Sequence, residues 1–407
     1  MLPPLLPLLL AFQSDLAQRA DVQKALAYLE ANHDRHVEKQ IQITEIPAPT
    51  FAETERGAFM AQEFRRIGLK DISTDPRGNV TGWRYGKSPR AIVLAAHLDT
   101  VFPAGTDVKV KRQGKRLVGP GIGDDGRGLT AILAVAEALE HAGIATNKSI
   151  LFVANCCEEG LGDLLGVKYL LQQGPYKDRI DAFISVDGTN PARIVNGALA
   201  SKRYRITIKG PGGHSYGNYG RANPAHALGR AITYFSEYQP PANPKTTLNV
   251  GKIGGGTSIN AIPFDNWMEV DMRSESDTEL EKLEQHLLAS VKRAVEDENR
   301  RAAKTGTKVE ADSKLLATRY GGFTPEDSPL VRAAQWAVRH TGHQPVLQIG
   351  STDSNVPINM KIPAVTLGGG GKSDSAHALE EWYEPEGGWK GIQSVLLTIL
   401  EWDRTAR

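Results

Sequence analysis

The sequence predicts an α/β protein: a mixed, mostly parallel sheet sandwiched by helices, with a smaller α+β unit inserted into it. Three observations lead there. Short, continuously apolar runs at 91–96, 149–154 and 182–186 alternate with helical patterns near 127–142 and 164–173. A strand apolar on both faces belongs in a parallel sheet covered on both sides. From 201 to about 313 the rhythm changes to β-α-β-β-α-β, the split βαβ or ferredoxin-like order, and after Tyr320 the first pattern returns. The small unit is therefore expected as an insertion, 201–318, in a larger domain made of 1–200 and 319–407. A chain of 407 residues is long enough for two such domains.

Taken in order, 16–42 reads as a helix with Val22, Ala25, Leu26 and Leu29 on one face. Pro47-Ala-Pro49 interrupts the chain, Thr50 is a candidate cap for a helix over 53–67, and Gly68 stands just past its end. Asp75-Pro-Arg-Gly78 predicts a turn between two short strands. The insertion is expected to hold strands at 201–209, 247–253, 266–273 and 307–313, with helices at 223–238 and 277–304. A helix near 329–341 and strands near 346–349 and 364–367 return to the larger domain.

Charge is balanced, with 48 basic and 47 acidic residues and a formal net charge of +1. Nothing there favours nucleic acid or an acidic membrane surface as partner. The two cysteines, Cys156 and Cys157, are neighbours and offer no disulfide framework. Leu2 to Phe12 is almost wholly apolar but too short to span a bilayer. It has the look of a secretory signal without its basic start or a clean cleavage site, which leaves cytoplasmic and exported locations both open.

The chemistry is concentrated at the ends of the predicted strands. His97 closes the first apolar run, Glu158-Glu159 follow the second within four residues, and Asp187 follows the third. In parallel sheets, ligands bind beyond those carboxyl ends. The turn Gly119-Pro-Gly-Ile-Gly-Asp124-Asp125-Gly-Arg-Gly128 adds two carboxylates before an apolar helix, and a glycine run at 368–371 leads to His377. Singly, each has an ordinary explanation: an Asp-Asp pair caps helices, a Glu-Glu pair is solvated, and an Asp-Gly begins a turn. The glycine-rich turn lacks the Lys-Ser/Thr of a phosphate-binding loop. Together they describe a two-metal hydrolytic centre, in which His97, Asp124, Glu159, Asp187 and His377 offer imidazole and carboxylate ligands. In an extended Glu158-Glu159 the side chains point opposite ways, so that one can bind metal and the other face the water as a base. Asp99, two residues beyond His97, is suited to accept the second imidazole proton.

Those stretches, His97-Leu-Asp99-Thr-Val, Gly-Ile-Gly-Asp124-Asp125-Gly-Arg-Gly, Glu158-Glu159-Gly and Ala376-His377-Ala-Leu-Glu-Glu-Trp382, resemble the motif set of the di-zinc peptidase family that includes tripeptidase T, the folate-cleaving glutamate carboxypeptidase, acetylornithine deacetylase and aminoacylase. The resemblance spans nearly the whole chain from about Thr44. It implies a zinc-exopeptidase type of catalytic domain with Asp124 bridging two metals, His97 and Asp187 completing one, and Glu159 and His377 the other. It makes Glu158 the general base and puts a cis peptide after Asp124. It implies that the insertion is a lid and dimerisation domain. There His214 would reach the partner subunit's active site, while Asn260 and Arg273 would hold substrate, often its carboxylate. Two departures, Cys156-Cys157 and Gly126-Arg127, are expected to bear on substrate preference if on anything.

The resulting expectation is a zinc-dependent metallopeptidase acting on short peptides, aminopeptidase- or tripeptidase-like, and a homodimer, with cobalt or manganese as alternative metals. A carboxypeptidase or a deacylase of N-acyl amino acids is the nearest alternative. A catalytically dead binding module on the same scaffold is disfavoured by the complete ligand set, and a phosphoesterase by the lack of an Arg/Lys cluster visible in sequence.

Overall fold

Alternation inside single strands explains why the central sheet is covered on both faces. In the strand Ser88–His97, the side chains of Ile92, Leu94 and Ala96 enter one buried cluster and those of Ala91, Val93 and Ala95 another. Lys148–Asn155 repeats the pattern, with Ile150, Phe152 and Ala154 on the first side and Leu151 and Val153 on the second. The first face is packed by the helices Ala20–Ala31, Thr54–Ile67, Gly126–Ala142, Pro329–His340 and Trp389–Thr405, the second by Leu165–Gln172 and Asn355–Asn359. The computed structural model describes residues 15–405 of the chain, so the apolar stretch at 2–12 lies outside the described residues. Among those described, no helix is long and apolar enough to cross a membrane.

Among the described residues the sheet has nine strands and is mixed. Its centre is parallel: Ser88–His97 lies between Lys148–Asn155 and Ile180–Val186, and Ala364–Leu367 follows, all in one direction. Antiparallel pairings flank it: Val80–Arg84 runs against the centre on one side, with Lys70–Thr74 antiparallel to it in turn, and Arg193–Ala198 runs against the centre on the other. The parallel centre brings the carboxyl ends of its strands to one edge, where His97, Glu158-Glu159 and Asp187 emerge.

A separate four-stranded sheet has its own buried core. Its order is Thr246–Gly255, Asp265–Ser274, Ala200–Lys209 and Glu310–Arg319, antiparallel throughout, which is the ferredoxin-like arrangement. Tyr204, Ile206, Ile208, Met268, Val270 and Met272 bury one face together with residues of the helices Pro224–Ser236 and Asp277–Arg301. The last strand runs on to Arg319, beyond the 307–313 expected from sequence.

Local departures have local causes. The helix expected over 16–42 is two, Ala20–Ala31 and His33–Thr44, parted at Asn32, whose backbone N–H and side-chain Nδ2 both donate to the Tyr28 carbonyl (3.0 and 2.9 Å). Thr50 does not cap the next helix, which starts after Glu53; its hydroxyl donates to Asp99 Oδ2 at 2.9 Å. The strand Arg193–Ala198, broken in sequence by Asn and Gly, and the C-terminal helix Trp389–Thr405 were not legible beforehand.

One buried cation ties the helix Thr54–Ile67 to the sheet edge. Arg56, fully buried, donates to the carbonyls of Ile46 (3.0 and 2.6 Å) and Leu98 (2.7 Å). Burial pushes its pKa down to about 10, so that it remains charged at neutral pH. Leu98 sits between His97 and Asp99, and Arg56 thereby fixes the turn that presents both. Arg56→Met is expected to cost about 3 kcal/mol in a denaturant melt, since it strands several buried carbonyls. A loss below about 1 kcal/mol would mean that those carbonyls find other donors.

Candidate metal centre

The loop bearing Asp124 is built from close backbone approaches. Gly121 takes a positive φ of 78°, and a Cβ at Gly128 would lie 2.3 Å from the Val186 carbonyl oxygen, so the helix Gly126–Ala142 can abut the strand end only with glycine there. Asp125 caps that helix, accepting from the Gly128 amide (3.0 Å), and its other oxygen accepts from the His97 amide (3.1 Å). The Asp124–Asp125 peptide is cis, as the resemblance implied. Glu381, 1% exposed, accepts from the amides of Gly121 (2.8 Å), Gly123 (2.7 Å) and Asp124 (2.9 Å) and so shapes the loop from the opposite side.

Asp124 stands between the two histidines. Its Oδ1 lies 3.0 Å from His97 Nε2 and its Oδ2 3.3 Å from His377 Nε2. Glu159 Oε1 is 3.0 Å from the same His377 nitrogen. Ligand atoms of His97, Asp124 and Glu159 fall within 4.8 Å of one another, as do those of His97, Asp125 and Asp187. All five ligand candidates therefore converge on one cavity of about 340 Å³, which Glu158 and Arg273 also line.

The charge pattern suits a cation. Burial raises the pKa of Asp187, and Asp124 raises it further. Burial would raise Asp124 too, but His377 and His97 hold it well below the carboxylate range. Hydrogen bonds to Asp124 and Glu159 lift His377 to about 10. The imidazoles thus stand as proton-bearing counter-charges to crowded carboxylates, a place a divalent cation takes with release of protons.

Asp99 is fully buried and does not line the cavity. Its two oxygens accept the amides of Glu158 and Glu159, each at 2.9 Å, and orient both glutamates. The nearer acceptor for the imidazole is the backbone of the same residue: His97 Nδ1 is 2.9 Å from the Asp99 carbonyl and 3.6 Å from its carboxylate, which stays within ion-pair range.

Glu158 meets a partner that sequence reasoning missed. Arg319, at the end of the last strand of the small sheet, donates through Nη1 to Glu158 Oε1 (2.8 Å) and to Ser351 Oγ (2.8 Å), and through Nη2 to the Glu158 carbonyl. Burial raises the Glu158 pKa well above its ordinary value, against the opposing pull of Arg319 and His97. That environment suits a group that takes and returns a proton.

His214 and Asn260 do not line this cavity. Both are exposed, on or beside the small two-stranded sheet in which Gly213–His214 pairs with Ala261–Ile262. Cys156, Cys157 and Arg127 are buried and also absent from its lining. Arg127 donates to the carbonyls of Gly369 (2.8 Å) and Gly388 (2.7 Å), so this departure from the motif set has a structural job.

The pattern of peptidase family M20/M25/M40 matches residues 93–401. The uncharacterized protein YqjE of Bacillus subtilis strain 168 is 26% identical over 83% of this chain and 90% of its own. A succinyl-diaminopimelate desuccinylase of Bordetella petrii is 27% identical over 60% of this chain and 68% of its own. The crystal structure of aminopeptidase PepT from Bacillus cereus superposes with a TM-score of 0.72 at 20% identity, covering 91% of this chain and 99% of that one.

Proposed function

Because this chain belongs to peptidase family M20/M25/M40, a family of metal-dependent hydrolases of amide bonds, we propose that it hydrolyses short peptides, in the manner of an aminopeptidase or tripeptidase, with two divalent cations, zinc by preference. The observation that carries the reading is Asp124 with one oxygen at each histidine. His97 and Asp187 would hold one cation, Glu159 and His377 the other, and Asp124 both. When bound, such a pair activates water and polarises the scissile carbonyl.

The chain's own groups do the rest. Glu158 accepts the proton of the attacking water and returns it to the leaving nitrogen. Arg319 engages only Oε1 of that carboxylate in the contacts among the described residues, and Asp99 fixes the backbone on either side of the Glu158–Glu159 bond. Arg273, facing the cavity, offers a guanidinium to a substrate carboxylate. Metal-loaded protein assayed on free and end-blocked di- and tripeptides and on N-acetyl amino acids tests the assignment. Cleavage of peptides needing a free amino end supports it, whereas cleavage of N-acetyl amino acids alone would reassign the chain as a deacylase.

Glu381 is a positioning residue in this scheme. Glu381→Gln has one acceptor oxygen where three amides now donate, so the Asp124 loop loses a tether. Affinity for the cations is expected to fall about 10–100-fold, the usual effect of removing such support. Metal titration of the folded variant measures it, and an unchanged affinity would remove Glu381 from the role.

The region 201–318 is read as a lid and dimerisation domain of a homodimer. Among the described residues its edge strand Thr246–Gly255 is unpaired on one side, and Tyr216, Tyr219, Ile259 and Phe264 are exposed around the two-stranded sheet of His214. Open edges and exposed apolar clusters favour pairing with a second copy, which would let His214 and Asn260 serve the partner's cavity. A solution mass of two chains at micromolar concentration is expected; a mass of one chain would count against it.

A further inference from the structure

Across the small sheet, Ser201 is the register partner of Arg273 on one side and of Arg319 on the other, and Arg203 is the partner of Asp271 and Ala317. Residues two apart on a strand share a face. Arg203, Arg273 and Arg319 therefore project from three adjacent strands on the face opposite the apolar core. All three line the metal-site cavity, and Arg193 joins them from the strand Arg193–Ala198 of the larger sheet.

Their commitments differ. Arg319 is taken up by Glu158 and Ser351. Arg203 and Arg273 share a single carboxylate, each giving only Nε to Asp271, at 2.9 Å to Oδ1 and 2.8 Å to Oδ2. Arg203 gives one further amino group to the Gly160 carbonyl, and Arg193 gives one to the Asp187 carbonyl at 3.2 Å. With the ligand carboxylates assigned to cations, the wall holds more guanidiniums than carboxylates. Two parallel N–H donors of one guanidinium saturate one carboxylate, and a single substrate carboxylate leaves the second fork unmatched.

We propose that Arg203 and Arg273, held side by side by Asp271, form a seat for anionic groups that makes the pocket select amide substrates with two carboxylates over those with one. Arg203 is the specificity-determining member. The proposal rests on the amide-hydrolase reading of the cavity and adds the substrate class to it. A site built to bond a polar group favours the ligand that carries it over an analogue that leaves the donors unmatched.

Two measurements test it on the metal-loaded protein. The first needs no turnover: calorimetric binding of succinate against succinamate, which replaces one carboxylate by an amide of the same shape. Succinate is expected to bind at least about 10-fold tighter, Arg203→Gln to bring the ratio close to one at unchanged metal content, and Arg203→Lys to restore part of it. A ratio near one in the unmodified protein, or one that survives Arg203→Gln, overturns the proposal. The second compares kcat/KM for N-succinyl with N-acetyl amino acids, and for dipeptides ending in Asp with those ending in Asn. A preference of about 10-fold or more in either pair supports the proposal and tells whether the second carboxylate lies on the acyl or the amine side. Hydrolysis of all four without preference overturns the substrate class while leaving the hydrolase reading intact. Arg203-dependent succinate binding with no hydrolysis of any amide would uphold the anion seat and sink the hydrolase reading instead.

Discussion

Glu158→Gln is expected to lower kcat by about two to four orders of magnitude, the usual size of a general acid–base contribution. KM should move little, because the groups assigned to hold substrate are elsewhere. The exchange is nearly isosteric and keeps an oxygen for Arg319 Nη1, now 2.8 Å from Oε1, so the fold should survive. Metal content should also be unchanged, since Glu158 is not among the proposed ligands. Steady-state kinetics beside metal analysis separates the roles of the two neighbouring glutamates. Loss of a cation at unchanged kcat would exchange the assignments of Glu158 and Glu159.

The second large effect belongs to Asp124. Asp124→Ala removes the carboxylate whose oxygens lie 3.0 and 3.3 Å from the two histidines. Both cations are expected to be lost, with activity at background, whereas Asp187→Ala or His377→Ala should mainly weaken one. Metal content per chain after dialysis against a fixed free-metal buffer gives the answer. Two retained cations in Asp124→Ala would remove its bridging role. The variant should remain folded, because the loop is held by Glu381 through backbone amides, and because the capping contacts at Gly128 and His97 belong to Asp125.

Much of this was legible in the chain because it is local or periodic. Apolar runs in strands and a 3.6-residue repeat in helices follow from burial of one or both faces, and they gave the parallel centre of the sheet and the order of the small one. The proposed ligand set was legible for a related reason. A parallel sheet delivers its strand ends to one edge, so His97, Glu159 and Asp187 could be grouped from the ends of apolar runs alone. Asp124 and His377 depended on glycine-rich loops, where spacing suggests but does not fix a direction.

Only the tertiary structure decided the partners. That His97 Nδ1 lies nearer the Asp99 carbonyl (2.9 Å) than its carboxylate (3.6 Å) is a matter of less than one side-chain rotation, which no spacing encodes. Arg319 reaches Glu158, and Arg203 and Arg273 meet at Asp271, through strand register between segments far apart in sequence. No spacing singles out Arg56 or Glu381 as the residues that satisfy the carbonyls and amides they meet. Sequence pattern records which face of an element is buried; it does not record which distant backbone or guanidinium that face will meet, because register and loop closure are settled by the packing of the whole core.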